Sequence, residues 1–153
     1  MAENTLNNNK SLSIRVCSNG LSFCTYAPGQ KAPFEYKVWE VNHTISLAAN
    51  LKEALMNEPM LKQDYQRVNV LITTPHFTTV PVAAFQKEDI HAVYQFTFPK
   101  DKPQHVSYNV LRRAGIAIVF GLERSIHQLL LDDFPRARFY ASASTLIEFF
   151  SEK

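Results

Sequence analysis

The stretch that decides the fold is Leu12-Ser13-Ile14-Arg15-Val16-Cys17-Ser18-Asn19-Gly20-Leu21-Ser22-Phe23-Cys24-Thr25. Leu12, Ile14 and Val16 alternate with Ser13, Arg15 and Cys17, the period of a strand with one buried face. Leu21, Phe23 and Thr25 resume the alternation after Asn19-Gly20, a pair suited to the positive-φ positions of a type I′ turn. With Asn19 and Gly20 as loop residues, Ser18 faces Leu21 and Val16 faces Phe23. Leu12, Ile14, Val16, Leu21 and Phe23 then share one face. Ser13, Arg15, Cys17, Ser22 and Cys24 share the other. That register sets the cysteines diagonally, about 7–8 Å apart or a little less, marginal or too far for an unstrained disulfide. They read as small thiols rather than a redox pair.

Working outward, Ala27-Pro28-Gly29 through Pro33 is a turn-rich connection. Residues 34–41 read as a third strand, with Phe34, Tyr36 and Val38 on one face and Trp39 and Val41 on the other. Apolar groups on both faces predict cover on both sides. Ser46 is the predicted N-cap of a helix carrying Leu47, Leu51 and Leu55, and Pro59 ends or restarts it. Val68-Asn69-Val70-Leu71-Ile72 reads as a buried central strand, parallel to a neighbour because a helix precedes it.

Residues 81–85 predict one helical turn opened by Pro81. A helix is expected over 87–93, a short strand over 95–98 and a polar loop over 99–103. A second hairpin runs from Val106–Leu111 to Ile116–Phe120 around Arg113-Ala114-Gly115. Leu122, Ile126, Leu129, Leu130 and Phe134 form the stripe of a helix stopped by Pro135, and a strand follows over 138–141. Thr145 and Glu148 have capping-box spacing and announce a final helix with Leu146, Ile147, Phe149 and Phe150. Two outcomes are open for it: a helix that continues past Lys153, or a short terminal helix packed on the sheet.

The 153 residues are 46% hydrophobic and 20% charged, with a net charge of +2. This suits one domain that hides roughly two-thirds of its unfolded surface and excludes disorder for most of the chain. No apolar run approaches the ~20 residues that cross a bilayer. Residues 1–11 are polar and read as a disordered leader, not a secretory signal. Two cysteines are too few for a disulfide scaffold; a reducing, cytoplasmic setting is expected. Arg112, Arg113, Arg124, Arg136 and Arg138 lie among Glu123, Asp132 and Asp133, so the charges read as a solvated surface rather than a nucleic-acid patch.

Several chemistries are missing. There is no P-loop, dinucleotide fingerprint, CxxC, HExxH or GxSxG motif. His43, His76, His91, His105 and His127 are scattered, so no metal site is expected. Ser125, His127 and Asp132 are the residue types of a triad, but one helix would spread them around its cylinder. Asp132-Asp133 are helix neighbours that do not face each other. Tyr94, Phe96 and Phe98 at strand spacing suggest packing rather than base stacking, since no basic residues interleave with them.

The element order is that of the ribonuclease H-like half-domain from which actin-like proteins are built in duplicate. The stretches Leu12–Val16 and Leu21–Tyr26 resemble the opening of a family of uncharacterised proteins from Bacteroides-type bacteria with an actin-like ATPase fold. Thr79–Phe85, Ala117–Phe120 through Phe134-Pro135, and Ala141–Leu146 carry the likeness further. More distantly, the chain resembles the cytoplasmic actin-like subunits of type IV pilus and type II secretion machines, and the cell-division relative of actin. The resemblance implies an α+β half-domain over residues 12–153, with a mixed sheet, an antiparallel three-strand meander and packed helices, and a second half-domain to follow. In ATP-binding members the first hairpin carries an acidic residue and glycines for Mg²⁺ and phosphate. Here that stretch is Arg15-Val16-Cys17-Ser18-Asn19-Gly20, without a carboxylate and with one glycine. The expectation is a pseudo-ATPase: a non-catalytic module for protein interaction or assembly, with no cofactor. Its partner would be a protein or the second half-domain, met by Leu146, Ile147, Phe149 and Phe150; neither nucleic acid nor membrane insertion is expected. The alternative is the nucleotide-binding half of an actin-like ATPase, with ATP and Mg²⁺ near Ser18, Asn19 and Gly20. A ribonuclease H-type nuclease is disfavoured, because the predicted sheet strands offer only Glu35 and Glu40 as carboxylates.

Overall fold

A computed structural model describes residues 9–101 and 104–151. The chain opens with β1 (Ser11–Cys17), β2 (Gly20–Tyr26) and β3 (Phe34–Trp39), followed by α1 (Leu47–Asn57), a 3₁₀ turn (Pro59–Lys62) and β4 (Arg67–Thr73). An insertion comprises β5 (Phe77–Pro81), two 3₁₀ turns (Val82–Ala84 and Lys87–Asp89), α2 (Ile90–Thr97), β6 (His105–Leu111) and β7 (Ile116–Leu122). Then come α3 (Arg124–Asp133), β8 (Arg138–Ala141) and α4 (Ser142–Ser151). The first sheet has five strands in the order β3-β2-β1-β4-β8, and the second has three in the order β5-β7-β6. β1, β3, β4 and β8 run one way and β2 runs against them, so the sheet is mixed.

Alternation in β1, β2 and β4 builds the main core. Leu12, Ile14, Val16, Leu21, Phe23, Val68, Val70 and Ile72 are buried on one face, under Leu51, Ala54 and Leu55 of α1 and Ile126 and Leu130 of α3. Each such side chain contributes about 1.5–3 kcal/mol by leaving water. Leu111, Ile118, Phe120 and Leu122 join the same cluster from the second sheet. A smaller cluster of Tyr94, Val106 and Val119 lies beneath α2.

Local polar contacts fix the connections. The Ser46 hydroxyl accepts from the Ala49 N–H and caps α1, as its sequence predicts. Buried Asn50 ties the preceding loop down: its amide donates to the carbonyls of Asn42 and Ser46 and its oxygen accepts from the Asn42 N–H. Glu58 caps the 3₁₀ turn by accepting from the Met60 N–H and pairs with Lys37 of β3 at 2.5 Å. The Lys37 ammonium holds the Glu58 carboxyl below its ordinary range.

Asn109 joins the two sheets. Its amide nitrogen donates to the Phe139 carbonyl, while its oxygen accepts from the Ala141 N–H and the Ser144 hydroxyl. One side chain on β6 thus supplies the outer edge of β8 with the donor and acceptor a further strand would have offered. It also anchors α4 through Ser144, which is buried.

Several expectations are corrected. The hairpin loop is Ser18-Asn19, because Cys17 pairs with Gly20 and Val16 with Leu21. Neither Asn19 nor Gly20 has positive φ, so the turn is not type I′. The register moves by two positions, which preserves the face of every side chain. It also places Cys24 opposite Ser13, well away from Cys17, and both thiols are free. β3 is an edge strand whose Phe34, Tyr36 and Val38 are exposed, not covered on both faces. The strand expected over 95–98 does not form: residues 95–97 are the last of α2 (Ile90–Thr97) and Phe98 is its C-cap; Tyr94 is buried while Phe96 is 90% exposed. β5 escaped the sequence reading because it is a short edge strand ending at Pro81. α4 starts at Ser142, so Thr145 lies inside its first turn and its hydroxyl donates to the Ser142 carbonyl instead of capping. The leader expected over 1–11 falls outside the described residues for 1–8, and β1 already begins at Ser11.

Two substitutions test this packing. Asn109→Ala orphans the polar groups of β8 and is expected to cost about 2–4 kcal/mol, a fall in Tm on the order of 10 °C by calorimetry. Gly121→Ala would set a methyl group 2.5 Å from the Tyr94 hydroxyl oxygen. Overpacking of this kind costs about 1–3 kcal/mol, measurable by urea unfolding.

Candidate functional site

In open sheets with parallel strands, ligands meet the molecule beyond the carboxyl ends of those strands. Here β1 ends at Cys17, β4 at Thr73 and β8 at Ala141. Pairing of Cys17 with Thr73 and of Ile72 with Ala141 brings the three ends side by side. The Thr73 and Ser142 hydroxyl oxygens are 2.8 Å apart. The Arg15 Nε donates to the Thr73 hydroxyl oxygen at 3.4 Å. The Cys17 thiol lies 3.4 Å from the Asn19 side-chain oxygen and 3.3 Å from the Gly20 carbonyl. The Thr74 hydroxyl oxygen accepts from the His76 N–H.

These segments, 15–20, 73–76 and 141–145, hold hydroxyls, a thiol, an amide, a guanidinium and the His76 imidazole, with no Asp or Glu of their own; the nearest carboxylate contact given for them is Asp101 of the insertion, against His76. Such a set donates to an anion and offers little to Mg²⁺, which takes carboxylate and phosphate oxygens. Ser18 and Asn19 form the turn at the carboxyl end of β1, and Gly20 opens β2. With no positive φ, their turn lacks the alternating-hand backbone of an anion-binding nest.

The C-terminal helix presents a different surface. Ile147 turns inward against the main core. Leu146, Phe149 and Phe150 are more than half exposed, and the two phenyl rings meet edge to face at 5.5 Å.

The remaining candidates separate in space. The Ser125 hydroxyl donates to Glu123, Asp132 accepts from Gln128, and His127 stacks on His105, so no triad forms. Asp132 and Asp133 line a cleft of about 1090 Å³ with Arg67, Arg136 and Arg138, at the amino ends of β4 and β8. Among the described residues, no three His, Cys, Asp or Glu side chains gather as a metal site, and no helix is long and apolar enough to cross a membrane.

Sequence reasoning missed two clusters. Asp101 accepts from the Tyr94 hydroxyl and lies 2.8 Å from His76 Nδ1. Burial, with the hydrogen bond to Asp101, raises the Tyr94 pKa. The second cluster is the His105–His127 stack, with centroids 3.6 Å apart and Phe139 against His127. Tyr94 and Asp101 are seven residues apart, beyond the end of α2, and His76, His105 and His127 come from separate stretches, so no helix or strand spacing announces either contact.

Burial lowers the pKa of both stacked histidines, and His127, His91 and Arg124 lower that of His105 further. The unfolded chain therefore takes up protons more readily than the native one. The resulting stability is fully present above about pH 6.5 and is lost as pH falls through the lower native values. Melting curves are expected to shift down between pH 7 and pH 5. His127→Phe, which keeps an aromatic partner, should make that decline shallower.

Among solved structures, the chain is similar to a protein from Bacteroides thetaiotaomicron VPI-5482, described as having an actin-like ATPase fold and unknown function, in a crystal structure at 1.85 Å resolution. Identity is 32% and the TM-score 0.84, over 98% of this chain and 58% of that one. This chain thus spans less than two-thirds of that relative's length. No curated protein matches it. A family match extends over residues 2–153, nearly the whole sequence, and the chain belongs to the family described as Protein of unknown function (DUF3822).

Proposed function

We propose that this chain is a non-catalytic module of actin-like fold, used in protein interaction or assembly. The observation that carries the reading is the composition of the three strand ends. Where a nucleotide-hydrolysing protein needs a carboxylate for Mg²⁺, Arg15, Ser18, Asn19, Thr73 and Ser142 supply none. The strand order β3-β2-β1-β4-β8, with only β2 reversed, supports a ribonuclease H-like half-domain. The greater length of the Bacteroides relative supports a second half-domain as partner. Exposed Leu146 and Phe150, with Phe149 beside them and Ile147 anchoring the helix, are the surface we assign to it.

A second reading, the nucleotide-binding half of an actin-like ATPase, is favoured by one observation. Arg15 and the Thr73–Ser142 hydroxyl pair stand beside the Ser18-Asn19-Gly20 turn. One titration separates the two. Thermal unfolding is followed with increasing Mg-ATP, and a ligand of the native state must raise the Tm. The first reading expects no shift. A dose-dependent rise, lost in Arg15→Ala, would establish the second.

A further inference from the structure

A different surface, at the far side of the sheet from β8, carries an inference of its own. β3 closes the five-stranded sheet, and its outer edge has no strand partner among the described residues. Glu35, Lys37 and Trp39 lie opposite Thr25, Phe23 and Leu21, on the side of the α1 and α3 layer. By alternation, Phe34, Tyr36 and Val38 point to the other side, where they are 65%, 63% and 63% exposed. Tyr26, 41% exposed, stacks on Phe34 with centroids 4.8 Å apart. An open edge with an apolar stripe is a template for another strand unless charge, proline or a bulge blunts it. The lysine within this strand is already paired with Glu58.

We infer that the strand that pairs with this edge is β3 of a second copy of the chain. Phe34-Glu35-Tyr36-Lys37-Val38 is self-complementary about Tyr36: apolar at both ends, with opposite charges either side of the centre. Two copies related by a two-fold axis through Tyr36 pair antiparallel. Phe34 then lies opposite Val38, Glu35 opposite Lys37, and Tyr36 opposite itself. A two-fold axis perpendicular to the sheet keeps each residue on its own face, so permitted registers differ by moving the axis one residue. Moving it one way sets Glu35 against Glu35; moving it the other way sets Lys37 against Lys37. Only the register centred on Tyr36 pairs opposite charges, which is how cross-strand pairs select alignment. In that register each Lys37 lies between its own Glu58 and Glu35 of the other copy. The two sheets become continuous through an isologous contact. The contact is small, below about 1,000 Å², which places the association in the transient class.

Cross-linking tests the register directly. Cys17→Ser and Cys24→Ser first remove the native thiols, because Cys24 lies opposite Tyr36 on β2. In that background Tyr36→Cys puts two thiols across the axis. Cα atoms of opposed antiparallel residues are about 4.5–5.5 Å apart, within the range of a disulfide. Mild oxidation is expected to yield a covalent dimer. Phe34→Cys alone should yield none, its two copies being about 13 Å apart, but should cross-link when mixed with Val38→Cys. Without cross-linking, Glu35→Lys sets lysine against lysine and should weaken the dimer about tenfold or more in sedimentation equilibrium, with an unchanged circular dichroism spectrum. A wild-type chain that stays monomeric at about 100 μM, equal cross-linking by Tyr36→Cys and Phe34→Cys, or a dimer lost in Leu146→Ser but kept in Glu35→Lys would each overturn the assignment. None of these outcomes bears on Mg-ATP binding, so this assignment and the proposed function fail independently.

Discussion

One face of the β1–β2–β4 sheet must leave water, and it does so against α1 and α3. Leu12, Ile14, Phe23 and Val70 are wholly buried there, together with Leu51 and Leu130 from the helices. Every other feature of the molecule depends on that burial. It sets the parallel register of β1 with β4, and this aligns the ends of the strands. It also leaves the opposite face of β3 without cover. The second sheet shares the same core through Leu111, Ile118 and Phe120, so the insertion is packed as part of the domain.

Polar groups then finish what burial begins. Asn50 and Glu58 satisfy backbone donors in the connections around α1, and Asn109 satisfies the outer edge of β8. Such groups add modest net stability when paired and cost much more when a buried partner is orphaned. They select one arrangement of layers among those that apolar burial alone would allow. The His105–His127 stack extends the principle to the seam between β6 and α3, where burial makes the neutral imidazoles the preferred form.

The functional picture follows from where chemistry is placed. Hydroxyls, a thiol and one guanidinium occupy the strand ends, where the segments themselves carry no Asp or Glu and Asp101 of the insertion reaches His76. Large apolar side chains are exposed in groups on α4 and at the β3 edge, and singly at Met56 and Phe96. That distribution is what supports the proposal of an interaction module. The Bacteroides relative, of which this chain spans 58%, shows that the fold occurs within a longer polypeptide.

Much was legible in the sequence because its cause was local. Alternation in Leu12–Val16 and Leu21–Thr25 announced the hairpin and its buried face, since a strand's side-chain period is set by its own backbone. Ser46, Pro59 and Pro135 marked helix boundaries through hydrogen bonds and ring sterics confined to a few residues. The bareness of the Arg15–Gly20 stretch could be read directly from its letters. Tertiary structure alone decided the rest. The hairpin register depended on pairing along the whole ladder and not on Asn19-Gly20. The exposure of Phe34, Tyr36 and Val38 depended on β3 lying at the sheet edge, which its own apolar pattern could not reveal. The helical state of residues 95–97 was imposed by the pocket that receives Tyr94. The contacts of Asn109 with β8 and of His105 with His127 join residues that only the folded chain brings together. Local chemistry determined which elements form; burial of shared surfaces determined which faces remained exposed.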